Sequence, residues 1–212
     1  KGCFERSTLF LKRFQMLVKR GTIFLLIIFF SHNLWAGEIQ GKVFTRKIKS
    51  LEDVLIYIEK LEGKDFPPPS NPPRLDQKNL VFIPHVLPVL VGTTVGYLNS
   101  DDVLHNVFTP DKCAEKFNLG TWPKGQVRSF TFKEPGCVPV MLCNVHPEME
   151  AFVVVLENPY YAVSAKDGSY TIKNVPAGKY TLKIWHEKLK GESQEVTVME
   201  SGDIVVDFEI KR

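Results

Sequence analysis

Short runs of β-branched and aromatic residues, each bounded by glycine, proline, asparagine or aspartate, recur through this chain from Glu38 to Ile210. They fall at 38–45, 54–59, 80–83, at 89–98 around a Gly92-Thr93 turn, and at 104–108, 127–132, 138–142 and 151–156. Four more follow at 167–172, 180–184, 194–198 and 203–210. Strand-sized runs at roughly 8–12-residue spacing with turn residues between them indicate a β-sandwich or barrel. Segment 51–61 also fits a helical pattern, but Val54, Ile56, Tyr57 and Ile58 are β-branched or aromatic and predict a strand. Only 111–122, with Ala114-Glu115-Lys116-Phe117, predicts an irregular helical turn. Segment 66–73 holds five prolines in eight residues. Proline cannot donate to a sheet ladder and favours extended polyproline II, so 63–73 reads as a semi-rigid connector between domains.

The first 36 residues have a different character. Lys12, Arg13, Lys19 and Arg20 precede an apolar run from Ile23 to Phe30, and small residues follow at Ala36-Gly37. That order predicts a secretory signal peptide cleaved after Ala36. The apolar run falls well short of the ~20 residues that span a bilayer, so contact with a membrane is expected only through an uncleaved signal. Met16 offers a conventional start, which makes 1–15 an expected upstream extension. The whole chain carries a formal net charge of +3, but beyond residue 36 there are 21 basic and 23 acidic residues. No basic stripe remains for nucleic acid.

An exported chain meets an oxidising compartment, where cysteines pair or bind metal. Three cysteines follow the leader: Cys113, Cys137 and Cys143. An odd number fits one disulfide, Cys113 with Cys137, and one thiolate kept for metal. The alternative is that Cys113 and Cys137 are two small, buried, free thiols. Cys143 opens Cys143-Asn144-Val145-His146-Pro147-Glu148-Met149, and His105-Asn106-Val107-Phe108 lies 38 positions upstream. A thiolate, two imidazoles and a thioether are the donor set of a mononuclear blue copper site. Zinc also accepts cysteine and histidine, but gains little from a thioether.

The Cys143-x2-His146-x2-Met149 loop, with proline directly after the histidine, resembles amicyanin. His105-Asn106-Val107 resembles the upstream ligand segment of amicyanin and plastocyanin. The resemblance implies a Greek-key cupredoxin β-sandwich over 74–157, with copper held by His105, Cys143, His146 and Met149. In such a site Asn106 is the candidate for tying the His105 strand to the cysteine loop, with an ordinary turn asparagine as the alternative. Asp167-Gly168-Ser169-Tyr170 and Val175-Pro176-Ala177-Gly178-Lys179-Tyr180 resemble a carboxypeptidase regulatory-like, transthyretin-like β-sandwich. Gly41-Lys42-Val43 and 54–59 match the opening of such a domain, which implies one sandwich built from 38–62 and 158–212 with the cupredoxin inserted in or joined to it. The expected fold class is therefore all-β throughout.

The function these features predict is single-electron transport by a periplasmic or secreted protein, between redox partners such as a cytochrome or an oxidoreductase. A copper carrier or store, and an adhesion or carbohydrate-binding module, are the alternatives. Catalysis is not expected, because copper enzymes need further histidine-rich sites and, once His32 leaves with the leader, only His85 and His186 are left over. Neither has a second metal ligand at recognisable spacing. Trp185-His186-Glu187 offers an edge on which a partner could dock.

Overall fold

The computed structural model describes residues 36–46, 50–200 and 202–212, so the expected leader lies outside the described residues apart from Ala36. Strands alternate with turns along all of the described chain. They are β1 Ala36–Phe44, β2 Leu55–Ile58, β3 Arg74–Lys78, β4 Val81–Ile83, β5 Val86–Leu90, β6 Thr94–Asn99, β7 His105–Phe108, β8 Asn118–Trp122 and β9 Val127–Thr131. The second half contributes β10 Val140–Leu142, β11 Glu150–Leu156, β12 Tyr161–Val163, β13 Ser169–Pro176, β14 Gly178–Trp185, β15 Lys190–Gly191, β16 Gln194–Val198, β17 Ile204–Val205 and β18 Phe208–Lys211. A 3₁₀ turn at Lys112–Ala114 interrupts them. The fold is all-β.

Two pairs of sheets result. In one pair, the order β5-β11-β10-β7-β8 faces the order β4-β3-β6-β9. Between them lies a core that includes Leu75, Tyr97, Val107, Trp122, Met141 and Val153. In the other pair, β13-β1-β18-β15 faces β12-β2-β14-β16, with β17 alongside β1. Ile39, Ile56, Ile172, Leu182, Phe208 and Ile210 fill that core. A third, smaller cluster of Leu55, Val86, Val154 and Leu156, with Tyr57 and Trp185 packed against it, joins the two pairs. Phe152 meets Trp185 there with ring centroids 5.2 Å apart. Trp185 thus packs at this seam, and it, His186 and Glu187 all stay partly exposed.

Register explains how the first pair aims its side chains. β11 runs parallel to β5, Phe152 opposite Val86, and antiparallel to β10, Glu150 opposite Leu142. β7 joins β10 through Phe108 and Leu142, and β8 through His105 and Trp122. Thus β7, β10 and β11 lie side by side, and the connection from β10 to β11 starts opposite Phe108, the last residue of β7, and runs back along β7 toward His105.

Some strands lack a sequence signature. β3 reads Arg-Leu-Asp-Gln-Lys, and only Leu75 and Gln77 are buried. Its polar spelling hides a strand held between β4 and β6. The helical turn expected over 111–122 shrinks to Lys112–Ala114, and β8 takes Asn118–Trp122. No strand forms within the proline-rich 66–73 segment.

Candidate metal centre

His105 opens β7 and is fully buried. Cys143 follows the last residue of β10 and is 2% exposed. The loop from Cys143 to Met149 then turns into β11, with the Met149 N–H donating to the His146 carbonyl at 3.0 Å. The Cys143 sulfur and one ring nitrogen each from His105 and His146 all lie within 4.8 Å of one another. His105 Nδ1 is 3.1 Å from His146 Nδ1 and 3.9 Å from Cys143 Sγ. Met149, at the end of the same loop, is buried at 1% exposure. His146 is partly exposed. Among the described residues no other His, Cys, Asp or Glu group converges in this way.

Hydrogen bonding decides which nitrogen of His105 is free. Its Nε2 lies 2.9 Å from Asp101 Oδ2. An ionised carboxylate only accepts, so Nε2 carries the proton and Nδ1 keeps its lone pair. That lone pair faces His146 Nδ1 and the Cys143 thiol. At 3.1 Å, His146 Nδ1 either donates its proton to this lone pair or shares a cation with it. The donor set of soft sulfur and two imidazoles therefore fits a copper ion. Asp101 also accepts from the backbone N–H groups of Asn79 at 2.7 Å and Leu80 at 3.0 Å. Desolvation pushes its carboxyl up, but the Leu80, His105 and Asn79 bonds outweigh that and hold it below the ordinary aspartate value.

Asn106 connects three segments. Its Oδ1 accepts from the Asn144 N–H at 3.2 Å, one residue past Cys143. Its Nδ2 donates to Asn118 Oδ1 and to the Gly120 carbonyl, both at 2.8 Å. A second brace holds the start of β10, where the Val140 N–H donates to Asp111 Oδ2 at 2.8 Å. Next to Asp111, Cys113 is joined to Cys137 in a disulfide with the Cα atoms 5.6 Å apart, and among the described residues Cys143 is the free cysteine.

Of the expected cluster, His105 thus meets Cys143 and His146 across 38 and 41 positions of sequence. Sequence reasoning missed Asp101. Its only signal was a carboxylate four residues before His105, in a turn whose acidic residues look like ordinary solvated ones. His85 and His186 stand apart from the cluster, beside Glu187 and its turn.

Among curated proteins none matches the chain. The family profile described as polysaccharide lyase family 4, domain II, matches residues 146–206. Among solved structures the chain is similar to an amicyanin variant in its Cu(I) form, at 28% identity over 41% of this chain and 84% of that one, with a TM-score of 0.38. It is similar to a copper-containing nitrite reductase from Thermus scotoductus, at 27% identity over 48% of this chain and 25% of that one, TM-score 0.39. A purple cupredoxin from Nitrosopumilus maritimus is 26% identical over 39% of this chain and 98% of that one, TM-score 0.35.

Proposed function

We propose that the protein is an exported carrier of single electrons, with one copper ion held by His105, Cys143, His146 and Met149. The observation that carries this reading is the convergence of one thiol and two imidazole nitrogens within 4.8 Å in a largely buried cluster. A thioether at the end of the same loop favours copper over zinc. Copper bound there would supply one-electron redox chemistry.

The chain's own residues supply everything else. Asp101 fixes the His105 tautomer and ring, and Asn106 fixes the start of the loop against β7. The Asp111 bond fixes the strand that delivers Cys143. Donors braced in this way need little rearrangement between oxidation states. The same bracing opposes a role in delivering or storing copper, because release requires donors that swing away. His146 is the partly open member of the cluster. Val103 and Leu104, just before His105, and Val145, just before His146, are 45%, 53% and 46% exposed. Exposed apolar side chains next to an accessible imidazole suit transient docking of a redox protein such as a cytochrome or an oxidoreductase.

Export is supported by the order of charge and apolar residues in 1–36 and by the Cys113–Cys137 disulfide, a bond that persists in oxidising compartments. In this reading 74–157 is a cupredoxin domain that interrupts a regulatory-like sandwich built from 38–62 and 158–212. The sheet membership of β1 and β2, which lie with β12–β18 rather than with β3–β11, supports that division.

The test is to load the chain with Cu(II) and record the visible spectrum during reduction by ascorbate and reoxidation. An intense thiolate-to-copper band that bleaches and returns is expected, and Cys143→Ser should lose it while keeping the β-rich circular dichroism. A colourless protein that prefers zinc, or a blue Cys143→Ser, would falsify the assignment.

A further inference from the structure

Among the described residues, the two histidines outside the metal cluster, His85 and His186, lie on either side of Glu187 at the seam between the sheet pairs. His85 directly precedes β5, and its Nδ1 lies 3.2 Å from the Glu150 carbonyl oxygen. A carbonyl only accepts, so the proton sits on Nδ1. The other ring nitrogen, Nε2, faces Glu187 Oε1 at 3.6 Å, beyond a hydrogen bond, and the two attract as an ion pair when the ring carries a second proton on Nε2. The His85 backbone carbonyl accepts the Phe152 N–H at 2.8 Å, and its ring stands edge-on to Phe152 with centroids 5.6 Å apart. One residue therefore grips positions 150 and 152, immediately after Met149.

His186 prepares the opposite side of this contact. Its Nδ1 accepts from the N–H groups of Lys188 at 3.0 Å and Leu189 at 3.2 Å, which shapes the turn that presents Glu187. Lys188 Nζ holds Glu187 Oε1 at 2.9 Å. Burial pushes the His186 ring below the ordinary histidine value, in keeping with the neutral form that an accepting Nδ1 requires. A continuous set of contacts thus runs from the turn after β14, through Glu187 and His85, to the carbonyl next to Met149.

We propose that His85 is a positioning residue for the metal loop: held between the Glu150 carbonyl and the Glu187 carboxylate, it anchors the C-terminal end of loop 143–149 to the flanking sheets and so sets where the Met149 thioether lies. The inference rests on the electron-carrier reading for its redox consequence, and on geometry alone for the anchoring. The His85 side chain is 31% exposed, so its polar contacts rather than its burial distinguish it. In a site of this kind the weak axial ligand tunes the potential. Slack at Glu150 should therefore alter the potential before it costs the metal.

The experiment compares the full chain with His85→Ala, His85→Asn, Glu187→Gln and the double variant His85→Ala/Glu187→Ala. It reads the reduction potential of the copper-loaded protein and, in metal-free protein, amide hydrogen exchange across residues 144–150. His85→Ala should shift the potential and speed exchange at Met149 several-fold, with copper still bound. Glu187→Gln should shift the potential in the same direction by less. The double variant should match His85→Ala, because partners in one set of contacts are not additive. His85→Asn, whose amide can donate to the Glu150 carbonyl, should recover part of the exchange protection. If His85→Ala does not fold, His85→Asn and Glu187→Gln carry the comparison. Wild-type potential and wild-type loop exchange in these variants overturn the proposal. A wild-type chain that takes up no copper defeats the electron-carrier reading instead. The exchange arm then decides the anchor alone, with unchanged protection refuting it and faster exchange upholding it.

Discussion

Asp101 is the residue whose removal should test the metal centre most sharply. Asp101→Ala strips the acceptor from three N–H groups at once: His105 Nε2, Asn79 and Leu80. Asn79 and Leu80 form the exposed turn between β3 and β4, both at positive φ, 58° and 60°. Water can replace the carboxylate there at small cost, and the turn can relax from a conformation that costs a non-glycine residue roughly 1–2 kcal/mol. His105 has no such recourse, because its ring is fully buried. Leaving that N–H without an acceptor costs about 1–3 kcal/mol. It also unlocks the tautomer, so a proton on Nδ1 competes with the metal. Loss of a partner that orients a ligating histidine typically weakens metal binding about 10–100-fold, or about 1.4–2.7 kcal/mol. We expect Asp101→Ala to fall in that range, and Asp101→Asn, which keeps one acceptor oxygen, to fall at or below its lower end. Equilibrium competition for Cu(I) against a chromophoric chelator measures the affinity, and thermal melts of the metal-free variants separate it from stability. Affinity within twofold of wild type for Asp101→Ala would show that the carboxylate does not orient His105, and the tautomer argument would fail with it.

Two further outcomes concern stability rather than the metal. The Cys113–Cys137 bond closes a loop with a sequence separation of 24, so the double Cys113→Ser/Cys137→Ser variant should lose about 3.5 kcal/mol in the chain-entropy model. Its copper band should stay in place, and a melting curve identical to wild type would refute the estimate. Asp167 is held at about 2 by hydrogen bonds from the Ser169 side chain and backbone and by Lys42, below its ordinary 3.8. A folded value below the unfolded one means the stabilisation is complete above about pH 4 and disappears as pH falls toward 2. Asp167→Asn should therefore melt earlier than wild type at pH 6, with the gap closing by pH 2. A gap that persists unchanged at pH 2 would place the effect elsewhere in the turn.

Local chemistry in the sequence accounts for what could be read from it. A strand such as β14 announces itself because Tyr180, Leu182 and Ile184 alternate with polar neighbours. The ligand loop announces itself because three donor types crowd into seven residues, and the cysteine count then separates Cys143 from Cys113 and Cys137. What could not be read depends on contacts between distant segments. β3 is a strand because β4 and β6 hold it on both sides, not because of Arg74, Asp76 or Lys78. Asp101 looks like one of two acidic turn residues until His105 is seen to have no other acceptor. His85 and Glu187 are separated by about a hundred positions and share no spacing that periodicity could detect.

The run from Ala151 to Leu156 joins these two kinds of information. It is apolar at every position, where a sheet with one wet face would show alternation. Ala151, Val153 and Val155 face the core of the sheet pair that carries His105 and Cys143. Val154 and Leu156 face the seam cluster, and Phe152 packs on Trp185. β11 is therefore buried on both faces and paired on both edges, by β5 and β10. A strand fixed on four sides makes a firm end for the loop that precedes it. The Cys143 end is fixed equally, by Asn106 and by the Asp111 bond to β10. Only the middle of the loop, from Asn144 to Glu148, remains open to solvent or nearly so. The sheets that flank the pair carrying His105 and Cys143 thus do more than cover a sheet face. By burying the outer side of β11 they convert a six-residue apolar run into one of the two posts from which the ligand loop is suspended.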